Sequence, residues 1–302
     1  MDVLEEILEK KIATLNLNPC QVHAMEHIKN HKTEIQRQWT DRNKLFPYFV
    51  IDNFLPVPFA EQIYATYPPP EKQGWDNTTY VHQRKKFSKT SDFSDPVNNF
   101  FNLVNSNIFL DFISELTGIP SLLADPDYVG GGLHQIIRGG FLDVHVDFNF
   151  HPVKKHHRRA NLLLYMNKDW ESKYEGFLEL WNMEDKHLVE KIAPIFNRVV
   201  MFETNEVSYH GHPKPLACPQ NMTRKSLAVY YYTKELENRA NTVEHNTLYK
   251  QTAGLEGYIK TLQSSVLASI ERAHGKNGIT NIGKKIFRSF FRKLRGFPPE
   301  NK

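Results

Sequence analysis

The sequence of 302 residues contains only two cysteines, Cys20 and Cys218. Two thiols cannot build a disulfide scaffold, and they lack the spacing of a zinc site. No apolar run approaches the roughly 18 residues that a membrane-spanning helix needs, and the mean hydropathy is −0.53. The first residues, Met1-Asp-Val-Leu-Glu-Glu, are acidic where a secretory signal is basic and then apolar. A reducing, cytoplasmic compartment is therefore expected. Internal repeats and low-complexity tracts are also missing, which excludes solenoids and arrays. What the chain does have is 40% hydrophobic and 12% aromatic residues, with 20 Phe and 13 Tyr. This supports a sizeable core and excludes wholesale disorder.

The net charge of +4 is unevenly placed. Residues 276–302 hold eight basic residues against Glu300 alone, giving +7; residues 1–275 hold 30 basic and 33 acidic residues, giving −3. The body carries no basic field, and no nucleic-acid partner is expected. In the tail, Ile282, Ile286, Phe290 and Leu294 recur every four residues among Lys and Arg. That spacing describes either a helix in peripheral contact with an anionic membrane surface or one docked on the protein's own core.

Three segments follow from the patterning. Residues 1–45 read as an N-terminal helical segment. Leu4, Ile7, Leu8, Ile12 and Leu15 keep helical spacing until Pro19, and His23, His27 and His31 then follow at four-residue steps. That trio has no carboxylate in register and reads as a solvated helix face. Residues 46–234 hold the catalytic candidate, beginning with the strand-like Phe46-Pro-Tyr-Phe-Val-Ile. Pro58 opens a helix to Ala65, and another runs from Ser106 as N-cap to Gly118 as C-cap. From about 128 the period becomes 2, and strands separated by Gly, Asn and Pro turns predict a mainly β fold with flanking helices, a sandwich or barrel. Residues 235–302 form a C-terminal extension, with helical spacing at Leu255, Ile259, Leu262, Val266 and Ile270 before the basic tail.

The chemistry concentrates in the β region. His145-Val-Asp147 lies in a strand pattern, so both side chains share one face with Asp143 and Asn149. With 14 His and 13 Asp, about 0.6 such triplets arise by chance, so the triplet needs partners. They lie downstream in Ser208-Tyr-His210-Gly-His212 and in Arg224-Lys-Ser226. Two imidazoles and one carboxylate on a facial triangle suit Fe(II) and leave three positions open, two for a bidentate 2-oxoacid and one for O2. An arginine fork beside a hydroxyl suits the far carboxylate of such a co-substrate.

In this order the motifs resemble those of the Fe(II)/2-oxoglutarate dioxygenase superfamily, and more narrowly its prolyl 4-hydroxylase-like branch. The resemblance spans roughly residues 46–233. It also rests on Arg159-Ala-Asn-Leu-Leu-Leu-Tyr165-Met-Asn-Lys-Asp-Trp170, on Gly176-Phe-Leu-Glu-Leu-Trp181 and on Pro194-x-Phe-Asn-Arg198-Val-Val-Met-Phe. It implies a double-stranded β-helix (jelly roll) and oxidative decarboxylation of 2-oxoglutarate coupled to C–H hydroxylation. Its implied cofactors are Fe(II) and the co-substrate 2-oxoglutarate, with ascorbate as an accessory. It implies His145, Asp147 and His210 as metal ligands, with His210 favoured over His212. It also implies Arg224, Ser226 and Tyr165 at the 2-oxoglutarate carboxylate. Asn161 reads either as pocket lining or as a plain buried amide. The sequence departs from the family at Glu175-Gly176, where a Gly-Gly pair is usual, and in a longer loop over Pro213–Asn221. It departs again at Gln135, where the oxygen-sensing enzymes have a tyrosine touching the co-substrate.

The substrate is expected to be a small molecule or a peptidyl residue. A basic loop with His151, Lys154, Lys155, His156, His157, Arg158 and Arg159 reads as a solvated loop or as a lid favouring an anionic substrate. A catalytically silent jelly-roll scaffold that keeps the motif is the alternative function. A zinc hydrolase fits poorly, because no general base is evident.

Overall fold

The computed structural model describes residues 17–80, 82–234 and 243–250. The helical patterns at Leu4–Leu15 and Leu255–Ile270 and the basic tail lie outside the described residues.

Helix α1 (Pro19–Lys29) starts where local chemistry dictates. Pro19 sits in its first turn, and Asn18 and Gln21 cap each other reciprocally, each backbone N–H donating to the other's side-chain oxygen at 3.0 Å. It ends before His31, which precedes α2 (Lys32–Trp39). His31 thus falls in the turn between the two helices, with its ring 5.5 Å from that of His27. His27 Nε2 lies 2.7 Å from Asn53 O. Helices α3 (Val57–Thr66), α4 (Asp95–Val104) and α5 (Asn107–Thr117) follow. For α5 the expected caps are present: Ser106 Oγ accepts from Phe109 N, and Gly118 takes φ +69°.

The strands are β1 (Tyr48–Ile51), β2 (Asp76–Tyr80), β3 (Gln83–Lys89), β4 (Gly132–Val146), β5 (His157–Tyr165) and β6 (Leu178–Asn182). They continue as β7 (His187–Ile192), β8 (Arg198–Glu203), β9 (Tyr209–His212), β10 (Thr223–Thr233) and β11 (Leu248–Tyr249). Among the described residues they form one antiparallel sheet along the path β1-β8-β5-β10-β4-β9-β6-β7, with β3 and β11 also on β4 and β2 on β3. The sheet curls until its ends meet, and Tyr48 Oη of β1 donates to Glu190 Oε2 of β7 at 3.1 Å. This is a jelly roll, as the family resemblance implied, within the sandwich-or-barrel class that the strand patterning predicted.

Alternation sorts the two faces. Leu162, Leu164, Val199, Met201, Leu227, Val229 and Tyr231 join Phe49, Phe101, Phe109 and Ile113 in the main core, packing the helices on the outer face. Tyr165, Val200, Phe202, Leu178 and Leu180 form a smaller cluster on the inner face.

The fifteen-residue β4 crosses from one wall to the other. Its first half pairs with β10, its second with β9 and β11, and β3 pairs with both halves. The bend is at Gly139-Gly140. Gly139 has φ +78°, and a Cβ on Gly140 would stand 2.4 Å from Ile136 Cγ2 and 2.8 Å from Arg84 O. Only glycine allows this crossing. The Pro213–Asn221 loop closes over the bend, with Gly139 N donating to Leu216 O (2.8 Å) and Leu216 N to Gly140 O (2.9 Å).

Candidate active site

His145 of β4 pairs directly with His210 of β9, and their ring centroids are 4.5 Å apart. Each Nδ1 faces a backbone carbonyl: His145 that of Asp143 at 2.8 Å, His210 that of Ser208 at 2.9 Å. A carbonyl only accepts, so each Nδ1 carries the proton and each Nε2 presents a lone pair. Both lone pairs face Asp147, which follows the end of β4, at 3.4 Å (Oδ1) and 3.5 Å (Oδ2). One ligand atom from each of the three lies within 4.8 Å of the others. Burial, with His145 alongside, pulls the His210 imidazole down to about 4, so it is neutral. Burial alone would raise the Asp147 carboxyl, but Arg158 and the two imidazoles hold it well below the usual carboxylate range.

Asp147 Oδ2 takes two further contacts, Asn161 Nδ2 at 2.7 Å and Arg158 Nη2 at 3.0 Å, while Arg158 Nε donates to Asn161 Oδ1 at 2.9 Å. The Arg158 guanidinium lies between the rings of Phe148 (4.4 Å) and Tyr230 (3.5 Å). Asn161 is thus engaged with both the carboxylate and the arginine that holds it.

Arg158 was hidden among the loop cations. A bulge explains why: Ala160 pairs with Tyr231 and Arg158 with Tyr232, leaving Arg159 extra. The extra residue turns Arg158 inward, where strict alternation points Arg159. The loop before it is anchored rather than uniformly solvated. His151 is buried 3.4 Å from Asp125, Lys154 binds Asp127 (2.7 Å), and Lys155 binds Glu244 (2.8 Å).

Further along the inner face lies Arg224, 5% exposed, directly opposite Ile136. Its Nε donates to Gly176 O (2.6 Å) and its Nη2 to Tyr165 Oη (3.2 Å). Burial raises the Tyr165 phenol, which stays protonated and keeps a proton to donate. Ser226 sits between Tyr165 and His134 on neighbouring strands. Gly176 is required here, since a Cβ would meet Leu216 at 2.4 Å and Arg224 Cδ at 3.1 Å. Glu175, where the family has a glycine, adopts φ +56°, and its carboxylate lies 3.4 Å from Lys191 Nζ and 3.5 Å from Lys214 Nζ.

Gln135 is not part of this wall. Its side chain bonds Thr223 Oγ1 (2.6 Å) and Pro68 O (3.1 Å) towards the helices, and the inward neighbours are His134 and Ile136. The co-substrate contact expected at that position is therefore not available from Gln135. His212 faces inward beyond His210, 4% exposed, with neither ring nitrogen hydrogen-bonded.

Residues 131–232 match the family model of the 2OG-Fe(II) oxygenase superfamily. Among solved structures the chain is similar to a prolyl 4-hydroxylase from Phytophthora capsici: 17% identity over 90% of this chain and 94% of that one, TM-score 0.53. This shows a shared fold. Also similar are a Pseudomonas putida prolyl-4-hydroxylase (16% identity, 66% and 98% covered, TM-score 0.49) and a Trichoplax adhaerens prolyl hydroxylase bound to a hypoxia inducible factor peptide (16%, 68% and 91%, 0.47). Residues 131–232 thus match the 2OG-Fe(II) oxygenase superfamily, and the chain shares its fold with a prolyl 4-hydroxylase.

Proposed function

We propose that this chain is an Fe(II)- and 2-oxoglutarate-dependent dioxygenase that hydroxylates an unactivated C–H bond. In this reading His145, Asp147 and His210 are the Fe(II) ligands, and Arg224, Tyr165 and Ser226 receive the 5-carboxylate of 2-oxoglutarate. The observation that carries the proposal is convergence. Three ligand atoms lie within 4.8 Å at one end of the inner face, and a buried Arg224–Tyr165 pair lies further along it. Two imidazoles beside an ionised carboxylate are a donor set that suits Fe(II).

Bound Fe(II) supplies the activation of O2: 2-oxoglutarate loses CO2 and becomes succinate with one oxygen atom, and the other enters the substrate C–H as a hydroxyl. The protein's part is ligation and orientation. The Asp143 and Ser208 carbonyls hold the imidazole tautomers. Asn161 and Arg158 occupy Oδ2 of Asp147 and leave Oδ1 for the metal. Phe202, packed on the His210 ring at 4.5 Å, keeps water from that side. Candidate substrates are a prolyl residue, a free amino acid, a sugar or a natural-product intermediate.

The test is a succinate-release screen over peptide and small-molecule libraries, with mass spectrometry for gain of one oxygen atom. Release by the wild type and none by His145→Ala is expected. Equal release by both overturns the ligand assignment.

A further inference from the structure

We propose that Lys86, together with the rings of His134 and His212, forms a second oxyanion subsite inside the jelly roll, taking a carboxylate other than the one at Arg224 and Tyr165. Lys86 of β3 lies directly opposite Ile136 of β4, which lies directly opposite Arg224 of β10. Opposed residues on an antiparallel ladder share a face, so Lys86 and Arg224 belong to one inner wall, two strands or ~10 Å apart. One register along, Ser88, His134 and Ser226 share that wall. His212 enters from the facing wall, two residues beyond His210 and so on the same side of β9.

A local distortion accompanies this placement. The β3–β4 register shifts between Arg84 and Lys86, and Lys85 between them takes φ +53°. Left-handed backbone at lysine is strained, and bulges beside active sites re-aim side chains. Lys85 turns away, donating to Arg138 O at 3.0 Å.

The three groups have polar atoms to offer. His134 Nε2 and both nitrogens of His212 are buried without a hydrogen-bond partner. A buried polar atom left unpaired is costly, and three such atoms together are accounted for by a ligand that bonds them. The Lys86 ammonium, pulled down to about 8 by burial, shares the field of Asp147, Arg224 and Arg158.

With 2-oxoglutarate placed as proposed above, on which this inference rests, the charges do not balance. Fe(II) with Asp147 leaves one positive charge and Arg224 another, which the dianion neutralises. Arg158 and Lys86 remain in excess. An acidic group on the primary substrate supplies the missing carboxylate chemistry.

The experiment is isothermal titration calorimetry on the full chain loaded with Mn(II), a redox-silent substitute. One arm titrates 2-oxoglutarate into the wild type, Lys86→Met, Lys86→Arg and Arg224→Met. The other titrates acetate and inorganic phosphate into wild type and Lys86→Met saturated with 2-oxoglutarate. A loss of about tenfold or more in 2-oxoglutarate affinity in Lys86→Met, recovered in Lys86→Arg, places Lys86 in the co-substrate site itself and overturns the second subsite. Unchanged 2-oxoglutarate affinity, with acetate or phosphate binding that Lys86→Met abolishes, assigns it to the substrate. A Lys86→Met protein that matches the wild type in both arms overturns the subsite. Full 2-oxoglutarate affinity in Arg224→Met overturns the earlier reading instead, so the two failures are distinct. Thermal melts establish that each variant is folded, with Lys86→Gln in reserve.

Discussion

Arg158 Nη2 lies 3.0 Å from Oδ2 of Asp147, and the guanidinium is fully buried between two aromatic rings. An arginine holds the very carboxylate that is expected to bind a dication. The pairing keeps Asp147 ionised before any metal arrives, at the cost of a second cation beside the metal position.

Arg158→Met should therefore lower the stability of the metal-free protein by about 3 kcal/mol, because a buried carboxylate loses its partner. Mn(II) should restore much of the loss by taking over the neutralisation. Melting curves with and without Mn(II) check this: the metal-induced rise in melting temperature should be larger in the variant than in the wild type.

His210→Ala and His212→Ala should separate the two neighbouring histidines. Only His210 joins His145 and Asp147 in the ligand cluster. Metal titration should show His210→Ala losing affinity by at least about 100-fold, whereas His212→Ala keeps it within about threefold. The reverse order would move the ligand to His212.

Gly140→Ala should destabilise the fold by about 1–3 kcal/mol or more. The new methyl would overlap Ile136 Cγ2 and two backbone carbonyls at the crossing of β4. Denaturant unfolding reads this directly, and a neutral substitution would show that the crossing can shift.

Lys86 predicts a pH-dependent trade between stability and binding. Its pKa is depressed to about 8 in the fold, against about 10.4 for an unfolded lysine. The ammonium thus opposes folding fully below pH 8, and the opposition relaxes between 8 and about 10.4. Lys86→Met should be more stable than the wild type by on the order of 2 kcal/mol near neutral pH, and the difference should vanish towards pH 10. Unfolding titrations at both pH values test the sign.

Much of the β region was legible before any coordinates. Leu162, Leu164 and Leu227, Val229 alternate because one face packs on helices and the other lines the interior. Ser106 and Gly118 bounded α5 because caps are local chemistry. The β2–β3 hairpin left no such trace. Lys86 and Ser88 point into a polar interior, so Gln83–Lys89 is polar except at Phe87 and the period-2 signal is absent. Helix α4 and strand β7 were likewise unread, the latter because five of its six residues are exposed on a sheet edge.

The sequence alone determined which residue types were available and in what order: His145, Asp147, His210, Arg224 and Ser226 on strand-like segments, and the glycines that let β4 cross. The tertiary structure decided which side chains meet. A bulge at Arg159 turns Arg158 to the inner face, and an irregular β3–β4 pairing, in which the two steps from Arg84 to Lys86 face the five from Phe141 to Ile136, sets Lys86 opposite Ile136. A bulge adds one residue to one strand and inverts every facing rule beyond it. Whether a residue is extra depends on its partner strand, and that pairing is a property of the folded sheet.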